Sequence, residues 1–287
     1  MRLVTFTHNQ TTHLGALQTK KGQEVVVDLN ETFSDLPTDM AAFLALGEPA
    51  LQRVRQGLGG RSYPLAEITL KAPIPRPGKL ICIGLNYRDH AEETGHELPT
   101  HPVVFAKYAN TVIGPGEAIV LPNVTRQVDY EAELAFVIGR RARHVPEIDA
   151  MRYVAGYTLI NDVSARDYQY RTSQWTIGKT FDTFAPMGPA LVTADEIPDP
   201  HNLPIRLKIG SELLQNSNTR NLIFNVPQLV ASLTEVMTLE PGDVVATGTP
   251  PGVGSARKPP RYLQPGDIVE VSIDGIGALS NPVVAEG

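Results

Sequence analysis

The 287-residue chain holds one cysteine, so no intrachain disulfide can form. That residue, Cys82, sits in the apolar run Leu80-Ile81-Cys82-Ile83 and reads as a buried structural thiol rather than a nucleophile. No apolar run approaches membrane-spanning length, and the opening Met1-Arg2-Leu3-Val4-Thr5 turns polar without an h-region. The expectation is a soluble, cytoplasmic protein with no membrane partner. A Lys/Arg stripe is missing too, and 25 Lys and Arg against 31 Asp and Glu leave a net charge of −6. That argues against a nucleic-acid partner but allows a local cationic site for small anions. Low-complexity segments are absent, and 42% hydrophobic with 20% charged residues supports a packed core over disorder.

What the chain has is turn chemistry. Glycine and proline number 24 each and punctuate short β-branched runs, the pattern of a strand-rich fold with many turns. Residues 1–72 read as a small α+β domain, with strands near 2–7, 14–18 and 24–29. Helical character runs across 39–56, broken near Gly47 and Pro49. Three prolines make 73–78 an extended linker, which puts a domain boundary there and a larger domain at 79–287. Candidate strands in that domain are 80–84, 103–107, 118–121, 130–138, 156–161, 190–192, 205–209, 244–247 and 268–273. Val226, Leu229, Val230, Leu233, Val236 and Met237 share one face of a predicted helix capped by Asn225. The phrase Leu-x-Pro-Gly-Asp-x-Val at 239–245 returns at 263–269, predicting two type II turns at corners of one mixed sheet.

The informative stretch is Asp129-Tyr130-Glu131-Ala132-Glu133-Leu134. Residues two apart on a strand share a face, so Glu131 and Glu133 lie side by side and repel unless a cation or a proton intervenes. A second run, Tyr157-Thr158-Leu159-Ile160-Asn161-Asp162, ends on Asp162. Three carboxylates at strand ends suit a hard divalent cation such as Mg²⁺. Spacing alone leaves a plainer reading open, an exposed acidic face paired with Arg140 or Arg141.

Ser164 to Gln169 reads as a helix start with Ser164 and Asp167 at capping-box spacing, and with Arg166 and Gln169 on one face. Lys179 stands between small and apolar residues in Ile177-Gly178-Lys179-Thr180. Together with Arg166 it would turn a metal-loaded triad net positive and welcoming to an oxo-acid. His90 and Glu93, three apart after the strand 80–84, can pair so that one imidazole nitrogen stays basic. The polar stretch 94–102 after them reads as a mobile lid. Thr247 to Gly254 is glycine-rich but lacks the Gly-Lys-Ser/Thr ending and the following helix of a nucleotide loop.

These motifs in this order resemble the fumarylacetoacetate hydrolase family, from about Pro77 onward. The matching runs are Gly84-Leu85-Asn86-Tyr87 with His90, Asp129 to Leu134, Asn161 to Asp167, Gly178 to Asp182, and Thr247-Gly248-Thr249-Pro250. Arg257-Lys258-Pro259-Pro260 and the N-terminal unit are most similar to its domain-containing protein 2 branch. The resemblance implies a C-terminal β-roll of mixed sheets with short helices behind a small α+β domain, and a homodimer. It implies Mg²⁺ (or Mn²⁺) on Glu131, Glu133 and Asp162, and a water-activating dyad of His90 and Glu93. Lys179 would be catalytic, while Arg166, Gln169, Thr249 and Lys107 would contact the substrate. Lys107 is followed by Tyr108 where the family usually has proline. The expected activity is metal-dependent C–C hydrolysis of acylpyruvate-like 2,4-dioxo acids. Decarboxylation or keto–enol tautomerisation of oxaloacetate is the alternative, and a catalytically silent metal-binding scaffold is the opposing class.

Overall fold

The structure is a computed structural model, in which residues 1–20, 22–95 and 97–287 are described. Strand Ala132–Ile138 is buried at every position because each face meets a core. Leu134, Phe136 and Ile138 pack with Tyr157, Leu159, Leu207 and Val271. Ala135 and Val137, on the other face, pack with Leu3, Leu14, Phe43, Ile160 and Leu191. Glu133 shares the parity of Ala135 and Val137, so a carboxylate enters an otherwise apolar face.

Among the described residues this strand lies in a twelve-stranded mixed sheet. The sheet runs Ser62–Pro64, Gln23–Asp28, Thr11–Lys20, Arg2–His8, Ala185–Thr193, Val154–Asn161, Ala132–Ile138, Val244–Ala246, Leu80–Gly84, Val103–Lys107. Thr69–Lys71 and Val112–Ile113 pair off this path. A five-stranded sheet orders Glu212–Asn218, Pro204–Ile209, Ile268–Ile273, Gly277–Ala285 and Ile119–Leu121. Parallel pairs, such as Val244–Ala246 beside Leu80–Gly84, make both sheets mixed. The stretch before the proline-rich segment and the stretch after it share one sheet. Arg2 pairs with Val192 and Leu3 with Leu191, and one apolar core draws on both.

The helical stretch 39–56 breaks at Gly47 (φ 72), as its residues predict, into the helices Met40–Ala45 and Glu48–Gln56. Other local expectations change. Gly242 (φ 87) and Gly266 (φ 93) do make type II turns, closed by Asp243 N–H to Glu240 O at 3.0 Å and Asp267 N–H to Gln264 O at 3.1 Å. They lead into different sheets, however, because their following strands pair with different partners. Ser164 caps no helix. It pairs in the short ladder Val128–Asp129 with Ser164–Ala165, and its hydroxyl donates to Asp162 O at 2.8 Å. Strands Glu212–Asn218 and Gly277–Ala285 escape a hydrophobicity reading because the first is polar and the second contains Pro282. No helix among the described residues is long and apolar enough to cross a membrane.

Helix Val226–Val236 forms where its spacing predicts and buries Val226, Leu229, Val230 and Leu233, but Val236, expected on the same face, ends the helix 74% exposed. Asn225 accepts from Gln228 N–H at 3.0 Å, and the Gln228 side chain accepts from Asn225 N–H at 2.9 Å. Asn225→Ala removes half of this box and should cost about 1 kcal/mol, read as a lower urea midpoint with an unchanged slope.

Candidate active site

Strand register builds the site. Ala132 opposes Asn161, so the residues just outside that pair, Glu131 and Asp162, face each other at the ladder end. Asp162 N–H donates to Glu131 O at 2.9 Å, and Asn161 Oδ1 takes Glu131 N–H at 2.9 Å. One ligand oxygen from each of Glu131, Glu133 and Asp162 lies within 4.8 Å of the others, and all three residues are buried. The exposed-face reading fails on this burial, and Arg141 pairs with Glu240 instead.

Burying carboxylates costs several kcal/mol each unless charge is returned to them. Arg166 returns it to Asp129 (Nε–Oδ2 2.8 Å) and Glu131 (Nη2–Oε1 2.7 Å). Lys179 Nζ bridges Glu131 Oε2 at 2.8 Å and Asp162 Oδ2 at 2.7 Å. Lys107 Nζ meets the other Asp162 oxygen at 2.6 Å and donates to Val163 O at 2.9 Å. Burial opposes ionisation of Asp162, but the two lysines outweigh it and bring the carboxyl down to about 2. Burial likewise disfavours charged Lys179, yet Asp162 and Glu131 raise its pKa, so it remains a cation. Glu133 differs. Burial, then the charges of Asp162 and Glu131, push it well above the usual carboxylate range, and its hydrogen-bond donor is Gly248 N–H at 2.8 Å.

A hard divalent cation fits this donor set: three converging oxygens, one of them on a carboxylate without an ion-pair partner among the described residues. Gly178 lets Lys179 reach them. A Cβ there would stand 2.4 Å from Gln169 N and 2.7 Å from Ala165 O.

A cavity of about 70 Å³ opens beside the triad. His90, Glu131, Glu133, Arg166, Gln169, Lys179 and Thr249 line it, against an apolar wall that includes Ile83, Phe105 and Trp175. Gln169 Oε1 accepts from Arg166 Nη1 at 2.9 Å, and Thr249 Oγ1 donates to Ala132 O at 3.1 Å. Glu93 stands behind His90, its Oε2 3.1 Å from Nδ1, on the short helix Arg88–Thr94. Asp162 and Lys107 also lie behind the lining. Both side-chain bonds of Lys107 go to protein oxygens, so it braces Asp162 rather than facing the cavity. The expected lid 94–102 includes His96, which lies outside the described residues. A far larger cavity, about 880 Å³, lies elsewhere against Leu17, Leu65, Pro115 and Pro189, without such a triad.

Two contributors escape sequence reasoning. Asp129 gathers Arg166 together with Gly254 N–H (2.7 Å) and Ser255 N–H (2.9 Å), and so fixes the guanidinium. Gln215, fully buried, donates to Thr249 Oγ1 at 2.8 Å and accepts from Ala132 N–H at 2.9 Å. Its signal was a glutamine inside the polar strand Glu212–Asn218.

The family model for the fumarylacetoacetate hydrolase C-terminal region matches residues 79–284. The chain belongs to the fumarylacetoacetate hydrolase family. It is similar to a Xenopus laevis protein named oxaloacetate tautomerase fahd2, mitochondrial, at 50% identity over 90% of this chain and 82% of that one. The human oxaloacetate tautomerase FAHD2A, mitochondrial, is 45% identical over 99% of this chain and 92% of its own length. Among solved structures, a maleylpyruvate hydrolase from Sphingobium sp. SYK-6, in complex with manganese(II) and pyruvate, matches with a TM-score of 0.84. It is 30% identical, with complete coverage of both chains. Like these relatives the protein is an enzyme, which sets the silent scaffold aside. The cytoplasmic expectation is overturned, because the Xenopus and human relatives are named mitochondrial.

A raised Glu133 pKa means that the folded protein favours the protonated acid. The associated stability is fully present below about pH 4.5 and is lost as pH rises through the folded value. Chelator-treated protein should therefore lose stability from pH 5 to pH 8, and Glu133→Gln should flatten that decline. An equal fall in unfolding free energy from pH 5 to pH 8 for the two proteins, measured by denaturant titration at each pH, would refute this account of Glu133.

Proposed function

We propose that the protein is a divalent-metal-dependent keto–enol tautomerase of oxaloacetate. The observation that carries this reading is the 50% identity, over nine-tenths of the chain, to a relative named oxaloacetate tautomerase. The cavity of about 70 Å³ supports it, since it holds only a handful of waters and suits a compact acid. This moves tautomerisation ahead of the acylpyruvate hydrolysis expected from sequence.

Tautomerisation moves one proton from C3 to the 2-oxygen and breaks no carbon–carbon bond. With Glu93 accepting from Nδ1–H of His90, proton exchange with substrate falls to Nε2. His90 takes the C3 proton. The C–H electron pair becomes the C2–C3 double bond, and the carbonyl pair moves to the 2-oxygen, which then receives the proton from His90. Lys179, held charged, stabilises the oxygen while it is negative. Arg166, Gln169 and Thr249 orient the substrate carboxylates, and Lys107 braces Asp162. Glu131, Glu133 and Asp162 would hold Mg²⁺ (or Mn²⁺), which when bound supplies Lewis-acid polarisation of the 2-oxo group.

The second reading, C–C hydrolysis, draws support from the maleylpyruvate hydrolase likeness, and there the same His90–Glu93 pair would activate water. The boundary at 73–78 belongs to the same proposal, supported by a family match that begins at 79. So does a homodimer, supported by the edge strand Val103–Lys107 with Val104 and the adjoining Tyr108 exposed. Sedimentation equilibrium checks it, and a monomer at micromolar concentration would refute it.

With Mg²⁺, enzyme should speed the approach of oxaloacetate to its keto–enol equilibrium, followed by enol absorbance, without releasing pyruvate. EDTA should abolish the effect, and His90→Ala and Lys179→Met should each slow it by ~10²-fold. Pyruvate from acetylpyruvate at a higher kcat/KM would replace this reading with hydrolysis, and pyruvate from oxaloacetate would replace it with decarboxylation.

A further inference from the structure

Helix Arg88–Thr94 carries His90 to the cavity, yet it is only two turns long and cannot hold its place by its own hydrogen bonds. Its entrance is stitched by backbone and amide contacts. Asn86 Nδ2 donates to Thr247 O at 2.8 Å and to Phe224 O at 3.0 Å, Asn86 Oδ1 accepts from Phe224 N–H at 2.8 Å, and Tyr87 bridges to Leu222. Its far end rests on Glu93, whose carboxylate takes Gly252 N–H at 3.0 Å and also serves His90.

Between these lies Asp89, which the mechanism does not use. Its Oδ2 accepts from Ser217 Oγ at 2.6 Å and from Asn221 Nδ2 at 2.9 Å, while Asn221 Nδ2 also reaches Ser217 Oγ at 3.1 Å. Its other oxygen accepts from the backbone N–H of His90 at 3.1 Å. Ser217 closes an edge strand of the five-stranded sheet and Asn221 follows it in a short turn. The carboxylate thus ties the peptide of His90 to a sheet that supplies none of the triad. Bonds to a charged acceptor are the stronger kind, and this one joins two elements rather than neighbours in one helix.

We propose that Asp89, clasped by Ser217 and Asn221, is a positioning residue that sets His90 over the cavity for proton transfer. Holding a reacting group in register, rather than binding substrate, is what such a clasp contributes. Asp89 therefore governs kcat more than KM, and it acts through His90. The inference rests on the proton-transfer role given to His90 above, and the experiment separates the two.

Asp89→Ala should lower kcat about 10-fold, the size expected for losing hydrogen bonds to a charged group. KM should stay within about twofold and Mn²⁺ affinity should be unchanged, because no bond of Asp89 reaches a triad residue. Asp89→Asn, which keeps one acceptor oxygen, should recover part of the loss, and Ser217→Ala should lose less than Asp89→Ala. In a His90→Ala background Asp89→Ala should cost nothing further. A loss of the same size in both backgrounds, or full kcat in Asp89→Ala, overturns the proposal. If His90→Ala alone keeps full activity, the proton-transfer role fails, and hydrogen exchange of helix Arg88–Thr94 then decides on the clasp. Faster exchange in Asp89→Ala upholds it, and unchanged exchange overturns it.

Discussion

Three carboxylates buried side by side cannot stay ionised without positive charge brought to them, and the architecture around them is the means of bringing it. Glu131, Glu133 and Asp162 are within ligand distance because two antiparallel strands end in register. Arg166, Lys179 and Lys107 arrive from a helix start, a second short helix and the end of an edge strand. With Asp129 included, four carboxylates meet three cations. The carboxyl left without a cation is Glu133, and burial and its neighbours hold it well above its ordinary pKa, towards the neutral acid. A divalent ion would make the cluster net positive, the condition under which an anionic oxo-acid is drawn in.

Backbone N–H groups are the second resource. Gly248 donates to Glu133, Gly252 to Glu93 and Gly254 to Asp129, so one glycine-rich loop serves three of the protein's own carboxylates. In sequence that loop looks like a cradle for a bound anion. Its glycines are needed for a different reason. Gly248 has φ 103 and lies against Asn86, and a Cβ on Gly254 would collide with the carbonyl of Arg261.

The same arrangement suits several reactions because the cations stabilise negative charge on an oxygen whichever group leaves C3. Relatives named tautomerase and a solved neighbour named hydrolase fit that economy. Trp175, Phe105 and His90 line the small cavity beside these charges. The short helix bearing His90 is held by contacts that cross between the two sheets.

Much of this was legible in the residues themselves. Periodicity located the strands Leu80–Gly84, Val103–Lys107 and Ile268–Ile273 and the helix Val226–Val236. The parity of Glu131 and Glu133 announced paired carboxylates. Burial of Cys82 followed from its apolar neighbours. Sequence spacing could not reveal which cation meets which carboxylate. Lys107 lies 55 positions from Asp162 and Asp129 lies 37 from Arg166, and only strand pairing brings such distant residues within 3 Å. The polar strand Glu212–Asn218, with Gln215 behind Thr249, was invisible for the same reason, because its burial comes from neighbours distant in the chain. The sequence determined the chemistry available: carboxylates, cations, a histidine with its carboxylate, and glycines at turns. Tertiary structure decided their partners, since charge compensation acts through space over a few ångströms and is indifferent to order along the chain.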